Sequence, residues 1–327
     1  MLVNMNEMLK AAKNGKYAVG LFNAVNMELA RGIIEAAEET GSPLIIGTAE
    51  IFFPYGPLED VSYFLIPMAK RAKVPVVVHL DHGLTRESCI KALELGFTSI
   101  MYDCSTDPYD VNVSKVKEMA EIAHSYGATI EGELGHVGDN EGSAEAVPDD
   151  ENVGGVVTSD KDGATFDPSI YFTDPAMAKD YVDKTGVDAL AIAVGNAHGA
   201  YKLPPKLDFD RIKTIAGTVD VPLVLHGGSG LTDDDFKRAI NEGISKVNIF
   251  TDLNIAAAQA VSDRFTDVNK GILDLIPAQV EAIKQETMKK MKLFGSDGKA
   301  GGNSYGQTDI ELITKLVAQE VAKYLKK

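Results

Sequence analysis

Eight short apolar segments, each followed by a segment with helical periodicity, constrain the fold of this chain more than any other feature. Their apolar residues are nearly continuous instead of alternating, which is typical of parallel strands covered on both faces. We predict strands at Tyr17–Ala24, Pro43–Ala49, Val74–Asp81, Ser99–Cys104, Ala128–Gly135, Ala189–Gly195, Pro222–Gly228 and Lys246–Phe250. Helical patterns lie between them, including Met27–Thr40, Arg86–Leu95, Val111–Tyr126, Ala176–Thr185 and Asp233–Glu242.

Repeated strand–helix units of this kind indicate an α/β protein with a (β/α)8 TIM barrel. The alternative, a doubly wound open sheet, usually carries a G-x-G-x-x-G turn after its first strand, and this sequence has none there. We expect a single domain over residues 1–327 with two departures from the repeat. These are a long polar loop over 135–169 and a helical C-terminal extension over 272–327, with helices at Pro277–Phe294 and Thr308–Leu325.

The composition argues against several classes of partner and compartment. A net charge of −16 disfavours binding to nucleic acid or to anionic membranes. The two cysteines, Cys89 and Cys104, form no CxxC motif, which favours a reducing, cytoplasmic compartment over a secreted disulfide framework. The first residues predict a short amphipathic helix instead of a signal peptide, and no apolar run approaches the roughly 20 residues of a membrane span.

Histidines gather at the ends of three predicted strands. His82 is the second-to-last residue of VVVHLDHG, His198 follows AIAVGNA, and His226 follows LVL, each beside glycine. Because the carboxyl ends of all barrel strands meet at one rim, we expect the three imidazoles to hold one catalytic divalent metal there. His79 is expected to lie deeper and orient the ligands, whereas His124 and His136 are expected to be structural.

The turns after strands seven and eight, of which the first is rich in glycine and both enter a helix, predict a phosphate site. In TIM barrels these loops and a nearby helix N-terminus commonly bind phosphate, because free N–H groups and the helix dipole favour an anion. Lys202 would add a positive charge. The residues concerned are Gly227, Gly228, Ser229, Asn248, Ile249, Phe250 and Thr251.

Four acidic residues complete the predicted site. Asp81 precedes His82 and is expected to act as a general acid/base or to support the metal. Asp103 and Glu133 end strands four and five, as alternative metal ligands or partners of the ligand imidazoles. Glu141 lies in the long loop, where a carboxylate can transfer a proton after closure, although spacing alone favours a solvated charge.

Seven short motifs resemble those of the class II, metal-dependent ketose-bisphosphate aldolases, which act on fructose or tagatose 1,6-bisphosphate. In order along the chain they are YAVGLFNAVN, VHLDHG, GFTSIMYD, EGELGHVG, GNAHGAYK, LHGGSG and KVNIFTDLN. The resemblance extends from Leu2 to about Leu253 and more loosely beyond. It implies reversible cleavage to dihydroxyacetone phosphate and an aldehyde such as glyceraldehyde 3-phosphate. It also implies a homodimer or larger homo-oligomer.

The resemblance assigns roles to individual residues. It implies zinc, or another divalent transition metal, on His82, His198 and His226, with Asp103 and Glu133 holding the ion in a second, more buried location. It allows a monovalent cation near the phosphate. Asp81 would exchange a proton with the aldehyde-derived hydroxyl, and Glu141 with the dihydroxyacetone phosphate carbon. The implied substrate contacts are Asn23, Gly199, Lys202, Gly227, Gly228, Ser229 and Asn248 to Thr251.

The sequence departs from the family where the far end of the substrate would lie. The family's Asp-Pro-Arg segment, whose arginine contacts the distal phosphate, is replaced here by VNKGILDLIPAQVEAI. The serine that the family often has at the end of strand two is Ala49 in this sequence. The long loop also carries extra acidic residues. These departures define an alternative to the family's reaction, which is the same chemistry on a ketose 1-phosphate with an uncharged or differently charged aldehyde. A basic residue such as Lys284 or Lys292, from this chain or a second subunit, in place of the arginine would instead keep the family's bisphosphate substrate.

Two other functions fit the same residues. A metal-dependent hydrolase would use the three histidines and a bound water, although the His-x-His motif of many such barrels is absent from strand one, which ends in Asn23. A catalytically inactive barrel retained for binding would not need Asp81 or Glu141.

Overall fold

The eight predicted strands close into a barrel. A computed structural model of the protein describes residues 1–137, 171–199, 205–265 and 271–301. The parallel strands follow one another around the barrel in chain order, and β8 pairs with β1. The strands are Val19–Asn23 (β1), Leu44–Ala49 (β2), Val76–Gly83 (β3), Ser99–Tyr102 (β4), Thr129–Leu134 (β5), Ala189–Ile192 (β6), Leu223–Leu225 (β7) and Ile244–Ile249 (β8). The prediction of a (β/α)8 barrel is confirmed.

Helices surround the barrel, and local sequence signals set their ends. Asn26 caps α2 by accepting a hydrogen bond from the Leu29 N–H, and Gly41 ends it with a φ of +63°. The helices are Met5–Gly15 (α1), Met27–Thr40 (α2), Leu58–Arg71 (α3), Arg86–Leu95 (α4), Tyr109–Ser125 (α5), Pro175–Thr185 (α6), Phe209–Ala216 (α7), Asp233–Glu242 (α8), Thr251–Arg264 (α9) and Ile272–Phe294 (α10).

Helix α1 closes the N-terminal end of the barrel. Its side chains Met5, Met8 and Leu9 pack with Leu21 and Val77 in one buried cluster inside the barrel. The backbone N–H of Val3 also donates to the carbonyl of Val76. With this end filled by apolar side chains, the carboxyl ends of the strands form the mouth at which a site can be built.

The C-terminal extension packs on the outside of the barrel. Helix α10 begins at Ile272, five residues before the predicted start, and lies against α2 and α9. The absence of a side chain at Gly32 lets α2 approach Ile283 of α10 closely. The predicted helix Thr308–Leu325 and most of the predicted loop over 135–169 lie outside the described residues. Within the described ranges, no helix is long and apolar enough to cross a membrane.

Candidate active site

The alternation of side chains along the strands directs a set of polar residues into the barrel mouth. Residues in register on neighbouring strands share a face, and so do alternate residues of one strand. Asp81 is in register with Ala49, and its carboxylate contacts side chains from β1 and β8, so Asp81 points inward. On β5, Glu131 and Glu133 share a face with Ser99 and Ala189.

A bulge in β3 brings two consecutive side chains to the same mouth. Alternation alone would place His82 on the face opposite to Asp81. The register with β4 shifts between Leu80 and Gly83, and His82 adopts a left-handed backbone with a φ of +41°. Such a conformation is costly for a residue other than glycine and clusters at functional sites. Here it directs the side chains of Asp81 and His82 to the same mouth.

The structure brings the three predicted histidines together at the mouth. The ligand atoms of His82, His198 and His226 all lie within 4.8 Å of one another. His82 Nδ1 is 2.8 Å from Asp103 Oδ2, and His82 Nε2 is 3.1 Å from His198 Nε2. Because the carboxylate occupies Nδ1, His82 has Nε2 available for a metal.

His226 has the opposite orientation. Its Nε2 is 2.8 Å from Glu131 Oε1, so Nδ1 is the nitrogen that faces the cluster. His226 Nδ1 and Glu133 Oε2 lie 3.4 Å apart, and both are buried atoms without a hydrogen-bond partner. Buried polar atoms are rarely left unsatisfied, so these two orphans fit a divalent cation.

A second possible set of ligands overlaps the first. Atoms of His82, Asp103 and Glu133 also lie within 4.8 Å of one another. Burial and the charge of Asp103 raise the pKa of Glu133 to about 8. Burial opposes protonation of His82, but the charges of Asp81 and Asp103 prevail and raise its pKa to about 10. This accumulation of acidic groups around one imidazole is an environment that a bound cation would neutralise.

Two asparagines hold both oxygens of Asp81. Asn23 Nδ2 donates to Asp81 Oδ2 at 2.8 Å, and Asn248 Nδ2 donates to Asp81 Oδ1 at 2.9 Å. Burial alone would raise the pKa of Asp81, but the neighbouring imidazoles of His82 and His226 and the amide of Asn23 lower it. The carboxylate is therefore anionic and fixed, while the side-chain oxygens of both asparagines are buried without partners.

The loops after β7 and β8 contact each other beside a helix N-terminus. The Gly228 N–H donates to the carbonyl of Asn248, and the Asp252 N–H donates to Ser229 Oγ. Helix α8 is closed by its own capping box of Thr232 and Asp235. Helix α9 begins after Phe250, which provides no side-chain cap of its own, so the first turn of α9 is better placed than that of α8 to receive an anion.

The remaining predicted residues are distributed differently. Glu141 and Lys202 lie outside the described residues. Gly199 has a left-handed φ of +79° beside His198. His79 is fully buried, and its Nδ1 lies 2.7 Å from Ser99 Oγ. The side chain that contacts His226 of the histidine cluster from below is the carboxylate of Glu131.

His124 and His136 differ from each other. His124 pairs with Asp188 in a half-exposed position, as expected of a structural residue. His136 Nδ1 lies 3.0 Å from Ser105 Oγ, and the Ser105 N–H donates to Asp103, so His136 lies near the candidate site instead of apart from it.

Three buried residues at the site escaped the sequence analysis. Glu131 contacts both His226 and Lys246, and Asn196 Nδ2 donates to the backbone carbonyl of His226. The motif Glu-Gly-Glu carried a usable signal, since alternation places Glu131 on the same face as Glu133. Nothing local links Lys246 to Glu131, which is 115 residues away in the chain.

Apolar side chains stand on the side of the mouth next to Asp81. Ala49 lies in register with Asp81, and the following turn carries Phe52, whose ring centroid is 4.4 Å from that of Phe250. Lys284 pairs with Glu39, near the C-terminal end of α2. Because α2 starts at the mouth and runs to the opposite end of the barrel, Lys284 cannot replace the distal arginine within its own chain.

Comparisons with known proteins agree with this geometry. The sequence profile of class II fructose-bisphosphate aldolase matches residues 3–299. The probable fructose-bisphosphate aldolase of Bacillus subtilis strain 168 is 39% identical over 91% of this chain and 99% of its own length.

Solved structures give the same result. The crystal structure of the YdjI aldolase from Escherichia coli K12 has a TM-score of 0.78 at 37% identity, covering 92% of this chain and 100% of that one. A putative fructose-1,6-bisphosphate aldolase from Coccidioides immitis has a TM-score of 0.76 at 27% identity, over 90% and 96%. The chain belongs to the class II fructose-bisphosphate aldolase family of carbon–carbon lyases.

Proposed function

We propose that this protein cleaves a ketose phosphate reversibly to dihydroxyacetone phosphate and an aldehyde, with a divalent metal, zinc or a similar transition metal, held by His82, His198 and His226. The observation that carries the proposal is the convergence of these imidazoles beside a carboxylate fixed by two amides. When bound, a divalent ion acts as a Lewis acid that polarises the substrate carbonyl and stabilises the negative charge that develops beside it.

The protein's own residues would move two protons. In cleavage, the fixed Asp81 carboxylate takes the proton of the C4 hydroxyl, the C3–C4 bond breaks, and C4 leaves as the aldehyde carbon. The electron pair of that bond remains on the C3 side, and Glu141 is proposed to protonate C3. Condensation runs the same steps in reverse. The unpaired oxygens of Asn23 and Asn248 are suited to accept hydrogen bonds from substrate hydroxyls.

The phosphate of the dihydroxyacetone phosphate half would bind between the loops after β7 and β8. Gly227, Gly228 and Ser229 form the turn that would contact the phosphate, with the Ser229 hydroxyl as a donor, and the start of α9 supplies the dipole. Gly199, Ile249, Phe250 and Thr251 would complete the contacts, with Lys202 as the proposed cation.

The 1,6-bisphosphate of fructose or tagatose is the substrate class typical of the family, and a ketose 1-phosphate is the second candidate. The specific observation in its favour is the apolar character of the mouth beside Asp81, where Ala49 replaces a common serine and Phe52 packs on Phe250. A doubly charged distal phosphate would be poorly solvated against such a wall.

A coupled assay for dihydroxyacetone phosphate release tests these statements. The substrates are fructose 1,6-bisphosphate, tagatose 1,6-bisphosphate and ketose 1-phosphates, each with a chelator and then with added zinc. We expect release that the chelator abolishes and zinc restores. Cleavage of bisphosphates alone would reject the second candidate. Release of inorganic phosphate without dihydroxyacetone phosphate would indicate a hydrolase, and no turnover of any substrate would indicate an inactive barrel.

A further inference from the structure

A buried ion pair crosses the interior of the barrel beneath the histidine cluster. Lys246 of β8 and Glu131 of β5 have fully buried side chains, and Lys246 Nζ lies 2.8 Å from Glu131 Oε2. The other oxygen of this carboxylate, Oε1, lies 2.8 Å from His226 Nε2, and His226 is also fully buried. The three side chains form one continuous series of contacts from β8 through β5 to the residue that follows β7.

This arrangement is unfavourable for stability alone. The effective penalty of burying an ion is several kcal/mol, and apolar residues of similar volume often replace a buried pair without loss. Barrel interiors are normally filled by layers of valine, isoleucine and leucine. Apolar residues do fill the layer nearer to α1, where Val77 and Ile45 lie. The position of the ion pair directly under a proposed metal ligand therefore suggests a role in the site.

The contact geometry defines that role. A carboxylate only accepts hydrogen bonds, so the imidazole nitrogen next to Glu131 must be the one that carries hydrogen. The tautomer of His226 is then fixed, and its Nδ1 lone pair faces Glu133, where Nδ1 has no hydrogen-bond partner. Lys246 occupies the second carboxylate oxygen and so prevents Glu131 from rotating away.

We propose that Glu131 and Lys246 are positioning residues that hold His226 in the single orientation and tautomer that presents Nδ1 to the divalent metal. The inference rests on the metal site of the proposed function. It adds two residues that touch neither substrate nor metal, and it predicts that they set the affinity for the metal.

The decisive variant is the double substitution Glu131→Leu with Lys246→Met. Replacing both charges avoids leaving one of them buried and unpaired, so the variant should fold with a melting temperature near that of the parent. The matched control is Thr287→Val, which removes a buried hydrogen bond to the Ile283 carbonyl on α10, outside the barrel. If the double variant does not fold, the single variant Glu131→Gln, which retains the shape of the side chain, is measured in its place.

The measurement is the dissociation constant of Zn²⁺, obtained by competition of metal-free protein with a chromophoric chelator. The visible spectrum of the Co²⁺-loaded protein reports the ligand geometry independently of activity. We expect affinity to fall about 10–100-fold and the cobalt bands to change in the variants, and neither to change in Thr287→Val. A folded variant with the parent's zinc affinity and cobalt spectrum would overturn the inference. A parent protein that binds no metal would instead reject the metal site itself.

Discussion

Asn23 and Asp81 are 58 residues apart in the chain, yet the side-chain amide of Asn23 lies 2.8 Å from one carboxylate oxygen of Asp81. Asn248 approaches the other oxygen from the opposite side at 2.9 Å. Three strands thus contribute to the placement of one carboxylate. The proton transfer proposed for Asp81 requires a carboxylate held in a narrow range of positions, and this double contact supplies that constraint.

Removing one of these amides should slow catalysis without unfolding the protein. We expect Asn23→Ala and Asn248→Ala each to lower kcat by about 10–100-fold, because a misplacement of about 1 Å is enough for such a loss. Asn4→Ala is a suitable control, since Asn4 caps α1 at the opposite end of the barrel. Steady-state kinetics and thermal melting distinguish the two effects. Unchanged kcat in both site variants would show that Asp81 needs no such support.

A second prediction compares two glycines that share a left-handed backbone. Gly227 has a φ of +61° and Gly186 a φ of +72°. An alanine at either position costs about 1–2 kcal/mol of backbone strain. At Gly227 the new Cβ would also overlap the backbone carbonyl of Ala197, whereas nothing lies within 4 Å at Gly186.

Gly227→Ala should therefore lower the melting temperature more than Gly186→Ala, and only Gly227→Ala should raise the KM for dihydroxyacetone phosphate in condensation. Thermal melting and initial-rate assays measure the two quantities. Equal effects of the two variants on melting temperature would argue against a close approach of the loops after β6 and β7.

Much of the architecture follows from the sequence because its signals are local. The near-continuous apolar segments gave the strands, and Asn26 and Gly41 mark the ends of α2 at the predicted residues. Strand ends were less accurate where tertiary contacts decide them. The strand β7 is only Leu223–Leu225, so His226 follows it, and β3 continues to Gly83 because of its bulge.

The site was partly predictable for the same reason. Strand-end motifs identified the three histidines and Asp81, but simple alternation would place Asp81 and His82 on opposite faces. The bulge in β3, where the backbone of His82 is left-handed, is what brings both side chains to the same mouth. The pair of Glu131 and Lys246 depends on the closure of the barrel, and no local pattern in the sequence reports which interior residues will meet.

Glu50 provides a third prediction, because it holds the loop that follows Asp81 and His82. Its carboxylate accepts hydrogen bonds from the N–H groups of Leu84 and Thr85 and from the hydroxyls of Thr85 and Ser88. We expect Glu50→Ala to cost about 1 kcal/mol of stability, as for a lost helix cap, and to lower kcat. Denaturant unfolding and kinetics measure these effects.

Glu87→Ala is the matched control for Glu50→Ala. Glu87 is an exposed acidic residue in the first turn of α4, the helix that also contains Ser88. Its removal should change unfolding by no more than a few tenths of a kcal/mol and leave kcat unaltered. If Glu87→Ala lowered kcat as much as Glu50→Ala, the loss would be explained by a general effect of charge near α4 and not by the specific hydrogen bonds of Glu50.

The last prediction concerns the aromatic pair of Phe52 and Phe250 at the mouth. If this pair forms the wall against which the aldehyde lies, Phe52→Ala should raise the KM for the aldehyde about tenfold, which corresponds to about 1.4 kcal/mol of lost contact. The KM for dihydroxyacetone phosphate should rise much less, because Phe52 lies after β2 and the substitution retains Phe250 and the rest of the loops after β7 and β8. Initial rates of condensation with each substrate varied in turn give both constants. Phe265→Ala, on a side chain that is 63% exposed at the end of α9, should alter neither. Equal rises in both constants for Phe52→Ala would instead mean that Phe52 supports the start of α9 through Phe250, and that the aldehyde lies elsewhere.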